Sequence, residues 1–277
     1  MSFFNLGISS YTFPFSCGTN KRIIPAKPFT PWDMVQKTQS FQVPVLQIAD
    51  NLPLENLPKT ELVQLGKYAE EQDIILETGF RRMDQDHLLQ CIHVTKDVGS
   101  HFMRFVIDGP GFIPSLPEIC EIISSVLPLL EKENITLGIE NHDRFYSREF
   151  AWIIQSLHSP YVGIVLDTAN SLSKEEPVEQ VFDHLIPFLV SFHAKDYTIC
   201  RRTGEMGFVI TGAPAGKGRL NFPHIFSRLK REAPRPCSII LESWMESLPS
   251  VAETLDRENQ WAAEGISYLK KCLSENE

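Results

Sequence analysis

No stretch of about 18 apolar residues occurs in this chain, so nothing in it reads as a membrane-spanning helix. Its opening residues, MSFFNLGISS, lack both the basic and the apolar region of a secretory leader, so the protein is expected to be soluble, unexported and cytoplasmic. Cysteine is sparse. Six residues (Cys17, Cys91, Cys120, Cys200, Cys237, Cys272) are scattered without a C-x-x-C pair, which argues against a disulfide framework or a thiolate zinc site. Positive charge is also short: 26 Lys and Arg stand against 35 Asp and Glu, a formal net charge of -9. A chain of that balance is a poor match for nucleic acid or an anionic membrane, because phosphate-rich partners recruit clustered Lys and Arg. Low-complexity tracts, repeats and linkers are absent, so the expectation is a single domain over residues 1–277.

What the chain does have is a recurring pattern. Eight short, continuous apolar runs appear: NLGISS, VLQIAD, DIILETG, HFMRFVI, TLGIEN, VGIVLDT, LVSFHAKD and SIILESW. Continuous rather than alternating runs are expected of parallel strands covered on both faces. Helical segments separate them. TPWDMVQKTQSF opens with Thr30 as N-cap and Pro31 at the first helical position. SLPEICEIISSVLPLLEKEN places Ile119, Ile122, Ile123, Val126, Leu129 and Leu130 on an apolar face, and SREFAWIIQSLHSP reads as a helix capped by Ser147. Eight strand-helix units make an α/β chain that closes as a single (β/α)8 TIM barrel, since open doubly wound sheets usually stop at five or six strands. Two long connections, residues 11–31 and 197–221, fall on the face where barrel active sites lie.

Side chains at the C-terminal ends of barrel strands converge on one mouth. The last polar groups of the strands are Glu77, Glu140, Asp167, His193 and Glu242, so four successive strands deliver Glu, Asp, His and Glu. That many titratable groups in one small space repel one another unless a cation joins them. Three carboxylates and an imidazole form a hard, oxygen-rich donor set that suits one divalent ion, Mn2+ or Mg2+ before Co2+ or Zn2+.

With these residues in view, the sequence resembles the xylose isomerase-like superfamily of TIM barrels, which holds sugar and sugar-phosphate isomerases and epimerases as well as abasic-site endonucleases. The likeness spans nearly the whole chain and rests on Glu140 in GIEN, Asp167 and Asn170 in LDTAN, His193, Lys195 and Asp196 in FHAKD, and Glu242 in LESW. It implies that Glu140, Asp167, His193 and Glu242 bind one divalent metal, with Glu140 and Glu242 as acid/base groups beside a substrate enediolate. The sequence departs from the ketose 3-epimerases at three places. Tyr146 stands where they carry a glutamate, Asn170 where they carry a histidine, and Lys195-Asp196 where they carry Gly-Glu. These differences point away from a plain free-ketose 3-epimerase.

Lys195 has several readings: it stabilises an enolate, binds a carboxylate or phosphate, protonates a carbon, or pairs with Asp196, Glu140 or Glu77. Arg104 either clamps a substrate carboxylate or pairs with Glu77 inside the barrel. Asn141 to Arg144 begin the pocket wall, with His142 and Arg144 facing the substrate. In GAPAGKGRLNF, residues 212–222, backbone N-H groups with Lys217, Arg219, Arg201 and Arg202 are candidates for an anionic substrate, against the alternative of a solvated surface lid. The leading functional expectation is a metal-dependent isomerase or epimerase of a small sugar, sugar acid or sugar phosphate. A decarboxylase or lyase of a keto sugar acid is the alternative, because loss of CO2 also yields an enediolate. A nuclease is disfavoured by the charge and by only eight histidines, and a non-catalytic sugar- or metal-binding barrel by the complete donor set. The expected partner is a small carbohydrate, with neither nucleic acid nor membrane, and a homo-oligomer is compatible.

Overall fold

The computed structural model describes residues 3–20 and 22–275. Eight parallel strands close into a barrel: β1 (Phe4–Ser9), β2 (Val45–Ile48), β3 (Ile75–Arg81), β4 (Phe102–Val106), β5 (Thr136–Glu140), β6 (Val162–Asp167), β7 (Leu189–Ala194) and β10 (Cys237–Leu241). Each corresponds to one of the eight apolar runs. Helices α1 (Pro31–Ser40), α2 (Lys59–Glu71), α3 (Gln85–Asp97), α4 (Leu116–Glu133), α5 (Ser147–Leu157), α6 (Val178–Leu185), α7 (Phe222–Glu232) and α8 (Val251–Ser274) wrap the outside. Strands buried on both faces by barrel and helix layers have no solvent side to mark with polar residues, which is why the runs are unbroken. No helix among the described residues is long and apolar enough to cross a membrane.

Helix starts follow the local chemistry. The Thr30 hydroxyl accepts the Asp33 N-H at 3.2 Å while the Asp33 carboxylate accepts the Thr30 N-H at 2.8 Å, a reciprocal cap with Pro31 just inside. The start of α5 differs from expectation. Its cap is Tyr146, whose N-H donates to Glu149, and Ser147 is the first helical residue, buried and tied to Glu176 and His184.

The segment after β7 is the main departure. It forms an antiparallel hairpin, β8 (Asp196–Arg201) and β9 (Phe208–Ala213), outside the barrel sheet. Its tip carries exposed Met206 and Phe208. The sequence hides this ribbon because its short apolar run is interrupted by Thr and Gly and sits in an otherwise loop-like stretch.

Candidate active site

Glu140 and Asp167 are the last residues of β5 and β6, His193 lies one residue before the end of β7, and Glu242 follows β10 directly. Register fixes their height, since Asp167 pairs with His193 across the β6-β7 ladder. All four side chains are buried. His193 Nδ1 lies 3.6 Å from Glu140 Oε2, 3.9 Å from Asp167 Oδ2 and 3.6 Å from Glu242 Oε1. Donor atoms of Glu140, Asp167 and His193 lie within 4.8 Å of one another, with Glu242 completing the ring beside that tighter trio.

Two cations are built into this set. Lys195 Nζ lies 2.5 Å from Asp167 Oδ2 and 3.0 Å from Glu242 Oε2. Arg104, reaching up from β4, bonds Glu140 through Nε and Asp50 through Nη1, the latter at 2.8 Å. The space for its stem comes from Gly79 on β3, where a Cβ would lie 3.3 Å from Arg104 Cδ and 3.0 Å from Ala49 Cα. The opposite ends of the carboxylates are also held. Asn170 Nδ2 donates to Glu140 Oε1 at 2.7 Å, the Ser9 hydroxyl donates to Glu242 Oε1 at 2.9 Å, and Asp167 Oδ1 accepts the N-H groups of Ala169 and Asn170. Asn141 fixes the β6 end, accepting the Asp167 N-H and donating to the Asp167 carbonyl.

Electrostatics follow from these contacts. Burial alone would raise the Glu140 carboxyl, but Arg104, His193 and Lys195 outweigh it and hold the group well below the usual carboxylate range. Burial likewise opposes ionisation of Glu242, and Lys195 reverses it. Desolvation would neutralise Lys195, yet Asp167, Glu242 and Glu140 keep it an ammonium. Tyr11, whose hydroxyl donates to Asp50 Oδ2 at 3.1 Å, is pushed far up by burial and by Asp50.

The donor set fits a divalent ion on three grounds. Bonds of about 2.0–2.2 Å to one ion place neighbouring ligand atoms about 3–4 Å apart, the spacing seen around His193 Nδ1. That nitrogen is buried and has no hydrogen-bond partner among the described residues, an expensive state unless a ligand completes it. The three ring carboxylates (Glu140, Asp167, Glu242) face Lys195 and an Arg104 shared with Asp50, an excess of negative charge that a divalent ion offsets.

Other expected site residues lie elsewhere. Glu77 is not at the mouth: β3 continues four residues beyond it, and Glu77 accepts from Gln47 Nε2 at 2.9 Å inside the barrel. It lines a cavity of about 880 Å³ at the opposite end, with Asn5, Phe102 and Ser238. Arg104 pairs with Glu140 and Asp50 rather than Glu77. Arg144 is at the rim but engaged, both Asp108 oxygens lying 2.7 Å away and the Pro114 carbonyl accepting a third bond. His142 lies half-buried beside Asp143 at 2.9 Å. Arg201 is exposed on the hairpin, over the Phe208 ring, and Lys217 is exposed on the following loop. The backbone N-H groups of that loop are already occupied: Asp196, buried, accepts from Gly216, Gly218 and Leu220 at 3.0, 2.9 and 3.2 Å. Those N-H groups are thereby engaged within the protein itself. Asp50, Tyr11 and Ser9 also border the ring, and no strand-end pattern singles them out, although Asp50 closes the run VLQIAD in plain view.

Similarity to known proteins agrees with this architecture. The chain is 28% identical over 264 residues to a 3-oxo-isoapionate decarboxylase of Pectobacterium atrosepticum, covering 95% of this chain and 94% of that protein. Among solved structures, a xylose isomerase-like TIM barrel protein from Mycobacterium smegmatis, in complex with magnesium, matches at a TM-score of 0.75 and 13% identity, covering 100% of this chain and 99% of that one. A D-psicose 3-epimerase from Clostridium cellulolyticum H10 matches at 0.70 and 13%, with 99% of each chain covered. At such identity these structures speak for the fold alone. The family model described as a xylose isomerase-like TIM barrel matches residues 77–272, a span that holds the whole donor ring from Glu140 to Glu242, and the chain belongs to that family.

Proposed function

We propose that this protein is a divalent-metal-dependent decarboxylase of a 3-keto sugar acid. The observation that carries the reading is Lys195, a half-buried ammonium seated between Asp167 and Glu242 inside the donor ring. Decarboxylation breaks the bond between the carboxylate carbon and its neighbour, sends the electron pair onto the keto oxygen, and needs one proton delivered to carbon. An ammonium at that place is a proton source of that kind once a divalent ion shares the carboxylates that otherwise hold its proton. Epimerisation instead needs a base that removes a proton from carbon, with return on the opposite face. Glu140 and Glu242 are poorly placed for that work, because Arg104 and Asn170 occupy the oxygens of the first and Ser9 and Lys195 those of the second.

Glu140, Asp167, His193 and Glu242 would hold the ion, and the oxygen-rich set favours Mg2+ or Mn2+. When bound, that ion supplies a Lewis acid for the keto oxygen. The residues around it orient and insulate: Asn141 fixes Asp167, Ser9 fixes Glu242, and Lys195 presents its proton where the new C-H bond forms. The similarity to a 3-oxo-isoapionate decarboxylase over nearly the full chain supports the same class of substrate.

The test is direct. The protein, loaded with Mn2+, is incubated in D2O with 3-keto sugar acids and with neutral ketoses, and CO2 and carbon-bound deuterium are followed. CO2 release with one deuterium gained per turnover is expected. Deuterium exchange into neutral ketoses without CO2 from any keto acid would replace this reading with the epimerase one.

A further inference from the structure

If the substrate is a sugar acid, its carboxylate needs a cation, and the proposed function leaves that cation unassigned. The inner set offers none. With a divalent ion offsetting the ring's excess negative charge, Arg104 and Lys195 remain committed to Glu140, Asp50, Asp167 and Glu242. Arg144 is also spent, with both Asp108 oxygens at 2.7 Å and the Pro114 carbonyl on the same guanidinium.

Arg81 differs. It is the last residue of β3, and alternation along that strand puts Glu77, Gly79 and Arg81 on the same face. Gly79 is level with Arg104 in the β3-β4 register, so Arg81 stands one layer above Arg104, at the mouth. Its surroundings agree with that height. Nη1 is 3.9 Å from Asp50 Oδ2, Nε makes one long bond of 3.4 Å to the Asp108 carbonyl, and the charge also reaches Asp143. Nη2 has no partner among the described residues, and the side chain is 40% exposed. Arg81 is thus an anchored guanidinium at the rim with donors to spare.

The geometry points to Arg81 as the residue that binds the substrate carboxylate and selects a singly charged sugar acid over a neutral sugar. This rests on the sugar-acid reading above. A planar fork of N-H donors matches a carboxylate. Its rim position also suits the chemistry. A deep, dry ion pair would stabilise the carboxylate against leaving as CO2, whereas a partly hydrated one binds and orients without that cost in the ground state. Arg81 therefore acts mainly on substrate affinity.

The Mg2+-loaded protein is titrated calorimetrically with gluconate and with glucitol, which share a hydroxylated chain, differ in the carboxylate and undergo no decarboxylation. Wild type should prefer gluconate; Arg81→Gln should weaken gluconate by about 10- to 100-fold and leave glucitol unchanged, and Arg81→Lys should recover part of the loss. Circular dichroism and the thermal midpoint confirm that each variant is folded. Equal weakening of both ligands, undiminished gluconate binding by Arg81→Gln, or no gluconate preference in the wild type would each overturn the assignment. The CO2 assay separates the two ideas. Gluconate selectivity that depends on Arg81 without CO2 release leaves the anion site standing and removes decarboxylation. CO2 release with an unchanged KM in Arg81→Gln does the reverse.

Discussion

Lys195 and Arg104 divide the neutralisation of one buried acidic ring, and their replacements separate chemistry from stability. Lys195→Met removes the proposed proton donor and should lower CO2 release by about 10²- to 10⁴-fold, checked by single-turnover kinetics on a folded variant. Loss of deuterium delivery in step with CO2 release would mark Lys195 as the donor; an unchanged rate would dismiss it. Arg104→Met acts differently. It strands Glu140 as an uncompensated buried charge, so unfolding in urea should show a loss of about 3–5 kcal/mol, partly restored by Mn2+. Residues of the ring were legible in sequence because each follows or ends an apolar run. Asp50 and Tyr11 were not, because their importance lies in meeting Arg104 and each other across a sequence separation of 39. Glu77 misled for a related reason: the apolar run around it hides that β3 continues to Arg81.

Among the elements, α8 has a second task besides covering the barrel. Its Glu258 accepts the N-H of Phe15 at 2.7 Å, the N-H of Ser16 at 3.0 Å and the Ser16 hydroxyl, pinning the long connection after β1. Burial raises this carboxyl from 4.5 to about 7 in spite of those bonds. A folded pKa above the unfolded one means stability present below about pH 4.5 and lost as pH rises through about 7. The stability of wild type relative to Glu258→Gln should therefore fall by up to about 3 kcal/mol across that window, measured by urea unfolding at its two ends. A flat difference would show that Glu258 titrates in the folded protein as it does in the unfolded chain. The pairing joins positions 15–16 to 258, a separation no local pattern reveals. The β8-β9 hairpin was equally silent, since its strands make no barrel contact that would require an unbroken apolar run. The barrel strands were plain for the opposite reason, being covered on both sides.

For the molecule as a whole, an ion held by the donor ring would link binding to folding. An ion that binds the folded chain alone stabilises it by about 2.7 kcal/mol at a concentration 100 times its Kd. Adding Mg2+ or Mn2+ should raise the thermal midpoint, a chelator should reverse the change, and Asp167→Asn should abolish it. A midpoint indifferent to metal in the wild type would remove the ion from the ring.

Asp196 has a consequence for which anions the loop after β9 can accept. Its carboxylate sits among the N-H groups of Gly216, Gly218 and Leu220 so closely that a Cβ on Gly218 would lie 2.2 Å from Asp196 Oδ1. The loop carries its own anion on a covalent tether, at an effective concentration that a free phosphate in solution does not match. Millimolar phosphate should leave the wild type untouched. Asp196→Ala, with those donors vacated, should become a protein that phosphate or sulfate stabilises, having exchanged an intramolecular ligand for a dissolved one.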